Sequence, residues 1–189
     1  MTGRDDPQIS ERDDGDPAAR ARQVCLRLLT LAPRTRAQLA DALRKRGIPD
    51  EAIHEVLDRF EEVGLIDDAA FARAWVESRH YSRGLAGRAL TAELRQRGVA
   101  ADEIRAAIDD RLDPEAEVAT ARRLVERRLA ASRGLPAEQR TRRLAGMLAR
   151  KGYPPGLAFR VIREAIEAEG EVAFPEDEPS FDEAEPETE

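Results

Sequence analysis

The sequence predicts an all-α protein: three tandem three-helix repeats forming an elongated, curved body, flanked by disordered acidic tails. Three observations carry that prediction. The 189-residue chain is 37% charged and only 4% aromatic. Its core must therefore come from Leu, Ile, Val and Ala, and its commonest residues are those that lose least on entering a helix. Apolar residues recur at helical spacing, and no stretch reads convincingly as a strand. Above all, the chain repeats itself around Gly47, Gly98 and Gly152, at separations of 51 and 54 residues. Leu39, Leu90 and Leu144 stand eight residues before the glycine, and Leu43, Leu94 and Leu148 stand four before. A basic residue precedes it each time (Arg46, Arg97, Lys151), and the pairs Val56/Leu57, Ala107/Ile108 and Val161/Ile162 follow.

The elements can be justified in order. Residues 1–17 and 169–189 hold dense acidic charge with Pro and Gly and little apolar content, so neither can offset its ordering entropy. The first repeat, 18–66, opens with a helix over Ala18–Leu31 that places Ala21, Val24, Cys25 and Leu28 on one face. Pro33 interrupts it. A second helix over Thr35–Arg46 carries Leu39 and Leu43 and ends at Gly47, a residue suited to the left-handed terminal position. Pro49-Asp50 opens a third helix, with Ile53, Val56, Leu57 and Phe60 turned inward. The second repeat, 67–112, and the third, 113–168, follow the same plan, the third starting with a longer helix from about Pro114 to Ser132. Each repeat has few apolar residues, so neighbours are expected to stack on a continuous core.

Charge is unevenly distributed. The formal net charge is −7, but residues 18–168 hold 29 basic groups against 22 acidic ones. A basic body thus lies between two acidic ends, and some part of it must present positive potential to phosphates or to an acidic partner. Basic residues concentrate in the third repeat: Arg122, Arg123, Arg127, Arg128 and Arg133, then Arg140, Arg142, Arg143, Arg150 and Lys151. The second repeat offers Arg73, Arg79, Arg83, Arg88, Arg95 and Arg97. Arg123 and Arg127 point away from the Val118/Ala121/Val125/Leu129 stripe.

Catalytic patterns are missing. The chain has no P-loop, nucleophile elbow, H-E-x-x-H or EF-hand signature. Cys25 sits on an apolar helix face, and His54 and His80 are far apart with no carboxylate spacing that suggests a ligand set. An enzyme is not expected, and neither is a metal or cofactor. The G-x-x-G of Gly84–Gly87 lacks the strand context of an RNA-binding clamp and reads as a loop between helices. The helix–glycine–helix segments place Asp50-Glu51, Asp102-Glu103 and Pro155-Gly156 where a major-groove reader needs base-contacting residues. Sequence-specific DNA reading is therefore disfavoured, though a stand-alone DNA-binding module or transcription factor remains the rival reading. No apolar run approaches a membrane span, and the start has no apolar signal stretch, so a cytoplasmic protein is expected.

The most individual segment is Gly64–Arg79, G-L-I-D-D-A-A-F-A-R-A-W-V-E-S-R. Gly64 ends one helix and Asp67, followed by Asp68, caps the next. Phe71 and Trp75, four apart, are expected to face the core as an anchor between the first two repeats. Together with S-R-G-x-x-x-R-x-L-x-x-E-L-R-Q-R-G-V over Ser82–Val99 and L-A-R-K-G-Y-P over Leu148–Pro154, this segment resembles the RecX regulatory proteins of bacteria. The resemblance spans about residues 18–168 and departs in the acidic tails and in Arg-for-Lys usage. It implies a non-enzymatic, monomeric modulator of the RecA recombinase, seated in the groove of the RecA–DNA filament. Such a modulator limits filament extension, ATP hydrolysis, strand exchange and SOS repressor cleavage. Contact with the filament, and with single- or double-stranded DNA regardless of sequence, would fall to the basic residues of repeats two and three.

Overall fold

The computed structural model describes residues 16–132 and 134–170. Among them are nine helices and no strand: α1 Pro17–Leu31, α2 Arg36–Arg44, α3 Asp50–Glu62, α4 Asp68–Arg83, α5 Gly87–Gln96, α6 Ala101–Arg111, α7 Pro114–Ala130, α8 Ala137–Arg150 and α9 Pro155–Ala168. Local chemistry sets most of these starts. The carboxylates of Asp16, Asp67 and Asp113 accept amides in the first turns of α1, α4 and α7. Thr35 and Gln38 form a reciprocal capping box on α2. The acids that disfavour groove reading, Asp50-Glu51 and Asp102-Glu103, occupy the positive first turns of α3 and α6. The first helix of the third unit ends at Ala130, short of Ser132, whose amide instead turns back to the Leu129 carbonyl.

The buried residues fall into three clusters, one per unit, with Ala86 of the second unit buried in the third, so the expected continuous core does not form. The first unit buries Cys25, Leu39, Leu43, Ile53 and Leu57. The second buries Val76, Leu90, Leu94 and Ile104, and the third Val125, Leu148, Ile162 and Ile166. Each such aliphatic side chain contributes about 1.5–3 kcal/mol when fully buried, so three helices suffice to enclose a cluster. Between clusters the chain uses polar and small groups.

Two junctions repeat one pattern. Between units one and two, the Thr35 hydroxyl donates to the Arg97 carbonyl (2.6 Å) and the Arg36 amide donates to the Asp68 carboxylate (2.9 Å). Between units two and three, the Ala86 amide donates to the Lys151 carbonyl (2.8 Å) and the Gly87 amide to the Glu117 carboxylate (3.0 Å). In both, the following unit's first helix caps the N-terminus of the preceding unit's second helix. The repeated glycine sits in the same contact. A Cβ on Gly98 would lie 2.3 Å from Ala37 Cβ, and one on Gly152 would lie 2.3 Å from the Ala89 nitrogen, whereas Gly47 faces open space. Tyr153 adds a hydroxyl bond to the Gly84 carbonyl (3.1 Å), and burial, with Glu117 nearby, pushes its phenol up to about 12.

The acidic stretches 1–15 and 171–189 lie outside the described residues, as does Arg133. Asp16, Pro17, Glu169 and Gly170, by contrast, are within the structure. Asp16 caps α1, and Glu169 pairs with Arg140.

Candidate functional site

Ion pairing sorts the cations, though not by unit alone: Arg20, Arg22, Arg27, Lys45 and Arg46 of the first unit are exposed with no carboxylate within 4 Å among the described residues. In the first unit Arg36 bridges Asp58 and Glu61, each at 2.6 Å, Arg44 bridges Asp41 and Asp50, and Arg59 meets Glu62. Of the basic residues singled out in units two and three, Arg79 (Glu93, 3.6 Å), Arg122 (Glu164, 3.1 Å) and Arg140 (Glu169) have a carboxylate within 4 Å among the described residues. Arg83, Arg88, Arg95, Arg123, Arg127, Arg128, Arg142, Arg143 and Arg150 are exposed without such a partner, and Arg73 is half-buried. These guanidiniums suit planar, two-point contact with phosphate or carboxylate.

Four of them share a cleft of about 340 Å³ between α7 and α8. Arg128 comes from the last turn of α7; Arg142, Arg143 and Arg150 come from α8, the last two being two turns apart on one face. Ala131, Ser132, Leu144, Gly146 and Met147 complete its lining, and no carboxylate lies in its wall. Arg140, grouped with these by sequence, is not part of the surface. It is 1% exposed, donates from Nε to Ser132 (3.2 Å) and pairs with Glu169, so it joins α8 to the end of α9.

Trp75 occupies a second basic region. The expected core-facing anchor between units is instead a half-buried platform packed on the second unit's own cluster. Phe71 stacks on Trp75 at 5.6 Å, and the guanidiniums of Arg79 and Arg97 lie 4.0 and 3.7 Å from its ring centroid. The indole donates to Glu93 (2.8 Å), and Arg97 donates to the Glu93 carbonyl (2.9 Å). Burial pulls the Arg97 guanidinium down from its ordinary value; Glu93 opposes this, and Arg79 and Arg83 add to it. The sequence groups Arg97 with the other basic residues of the second repeat and places it before the repeated glycine, but gives no sign of its contact with Trp75.

The junction between units two and three absorbs further residues. Lys151 donates to the Arg83 carbonyl, and burial, then Arg127, lowers its ammonium. It serves assembly of the units as much as any ligand. Arg123 donates to Thr120 Oγ1 (2.9 Å), and Thr120 lies 3.2 Å from His80 Nε2. His80 Nδ1 faces the Leu85 carbonyl at 2.9 Å and donates to it, so the ring ties the end of α4 to α7 through Thr120. His54 is exposed, and Cys25 is fully buried with its thiol pushed up by desolvation. The G-x-x-G segment is a turn, as expected, and the Ala86 and Gly87 amides are spent on the junction rather than offered to a phosphate.

A cleft of about 730 Å³ between units one and two is acidic on balance. Asp41, Glu61, Asp67, Asp68, Asp102 and Glu103 line it against two cations, Arg36 and Arg44. Burial first, and neighbouring acids after it, hold the Asp68 and Glu103 carboxyls above the usual range. A net negative lining disfavours a polyanion in that cleft. Among the described residues no cluster of His, Cys, Asp and Glu could hold a metal, and no helix is long and apolar enough to cross a membrane.

Comparison with known proteins gives concordant matches. Models of the first, second and third three-helix domains of RecX match residues 21–60, 67–108 and 115–162. The chain is 66% identical to the regulatory protein RecX of Thermobifida fusca over 177 residues, 93% of this chain and 95% of that one. It is 65% identical to that of Streptomyces coelicolor over 156 residues, 82% of each, and 48% identical to that of Mycolicibacterium smegmatis over 163 residues, 82% of this chain and 86% of that one. The crystal structure of RecX from Lactobacillus salivarius shares its fold at 19% identity, with a TM-score of 0.73 over 79% of this chain and 97% of that one.

Proposed function

The chain belongs to the RecX family of regulatory proteins, and on that premise we propose that it is a non-enzymatic negative regulator of the RecA recombinase. It binds the RecA–DNA filament and restrains extension, ATP hydrolysis, strand exchange and SOS co-protease activity. The observation that supports this most directly is the set of untied arginines in units two and three, opposite in sign to the acidic cleft between units one and two. Guanidiniums on helix surfaces contact phosphates of any sequence, or acidic protomer surfaces, so binding is insensitive to base sequence and sensitive to salt. Three units in tandem present such contacts along a polymer, and cytoplasmic location and action as a monomer follow from the same reading.

The test is titration of the protein into RecA-coated single-stranded DNA with ATP while hydrolysis is followed. Reversal of Arg142 and Arg143 to Glu is expected to raise the half-inhibitory concentration at least about tenfold, with the deficit widening as salt falls. Reversal of Asp50 and Glu51 to Lys, at the start of α3, is expected to leave inhibition near normal. Inhibition lost with the acid reversal and kept with the arginine reversal overturns the assignment of the face.

A further inference from the structure

The cleft between α7 and α8 is a cationic site without a partner in the described structure. Arg128, Arg142, Arg143 and Arg150 converge on it with no carboxylate in the wall and none within 4 Å of their guanidiniums among the described residues. The acidic end of the chain leaves the structure beside it. Gly170 follows Glu169, whose carboxylate pairs with Arg140; Arg140 donates to Ser132 Oγ at 3.2 Å, and Ser132 lines the cleft. The exit point is therefore one buried side chain away from the arginines.

The chain beyond that point fits the site chemically. Residues 171–189 contain nine carboxylates and no Lys or Arg. Nineteen residues reach at most about 60 Å when extended, far more than this exit point requires. A carboxylate offers a guanidinium the same two-point geometry as a phosphate. A tether this short holds its carboxylates at an effective concentration on the order of millimolar.

We infer that the acidic segment 171–189 docks in the Arg128/Arg142/Arg143/Arg150 cleft of its own chain and competes there with nucleic-acid phosphates, making the cleft a self-inhibited polyanion site. This rests on the reading of these arginines as phosphate contacts. The arrangement sets a threshold: a dense phosphate array displaces the segment, whereas a sparse one does not. Salt weakens both contacts, so the self-inhibition is greatest at low ionic strength.

Two measurements on the full chain test it. In a Cys25→Ala background, a spin label at Glu189→Cys is expected to broaden amide resonances around residue 128 and residues 142–150 at low salt, and to release them at high salt. Broadening centred on Arg88 and Arg95, or none, overturns the docking. Equal broadening when labelled chain is mixed with unlabelled, isotope-enriched chain makes the occupant a second copy and also overturns it. The second measurement replaces all nine carboxylates of 171–189 by their amides and follows binding of oligothymidylate. Affinity is expected to rise about five- to tenfold at 50 mM salt and to converge on the wild-type value near 300 mM. With Arg128, Arg142, Arg143 and Arg150 changed to Gln, the same replacement is expected to change nothing; a gain that persists in that background refutes the cleft as the site. A label that sits on the cleft and is not displaced by oligothymidylate leaves the docking intact and removes the phosphate reading of the arginines instead.

Discussion

Substituting alanine for the three repeated glycines separates local strain from packing between units. Gly47, Gly98 and Gly152 have φ of 71°, 78° and 88°. Alanine in this left-handed region costs about 1–2 kcal/mol at each position. Their surroundings differ. Nothing lies within 4 Å of a Cβ on Gly47, so Gly47→Ala is expected to cost only that strain. A Cβ on Gly98 meets Ala37 Cβ at 2.3 Å, and the overlap adds about 1–3 kcal/mol for forced repacking. The offending atom is a side-chain methyl, so Ala37→Gly should relieve the overlap at a helix cost of about 1 kcal/mol. At Gly152 the nearest atom is the Ala89 backbone nitrogen, also at 2.3 Å, with Ala89 Cα at 3.1 Å. Ala89→Gly cannot remove these, so Gly152→Ala should resist rescue. Urea unfolding followed by circular dichroism and by the fluorescence of Trp75, the sole tryptophan, gives the free energies and their coupling. Equal costs for Gly47→Ala and Gly98→Ala, or a Gly98→Ala/Ala37→Gly chain no more stable than Gly98→Ala, would refute the assignment of a packing role to the repeated glycine.

Trp75→Ala is expected to cost about 2–3 kcal/mol, below the 3–5 of a fully buried aromatic, because the ring is half-buried beneath two guanidiniums; a loss above about 4 kcal/mol in urea unfolding would return it to the core. Asp68→Asn keeps the acceptor for the Arg36 amide, whereas Asp68→Ala should destabilise by about 1–2 kcal/mol. Because the folded-state Asp68 carboxyl lies above its ordinary value, its contribution is fully present at acid pH and lost as pH rises through the folded value. Wild type should therefore gain on Asp68→Asn as pH falls from 7 to 3; a gain in the opposite direction contradicts the burial argument. Tyr153→Phe should cost about 1–2 kcal/mol by leaving the Gly84 carbonyl unpaired. Since the phenol is pushed up to about 12, stability from this group should hold below pH 10 and fall from there toward 12, a slope absent from the Phe variant.

Much of the fold was legible in the chain because it is encoded locally. The repeat period, the cap at Asp67 and the glycines that end helices each depend on residues within a turn or two of one another. Composition alone separated the acidic ends from the basic body. Tertiary structure decided what depends on residues far apart in sequence. It divided the expected continuous core into three clusters, because the faces that meet between units are lined largely by Thr35, Asp68, Gly98 and Gly152, with few aliphatic side chains such as Leu124 among them. It placed Arg97 on Trp75, buried Arg140 against Glu169 and gave Lys151 to the Arg83 carbonyl. Arginines indistinguishable in a helical pattern thereby separate into structural and available ones, since whether a carboxylate stands within reach is set by how helices from different units dock.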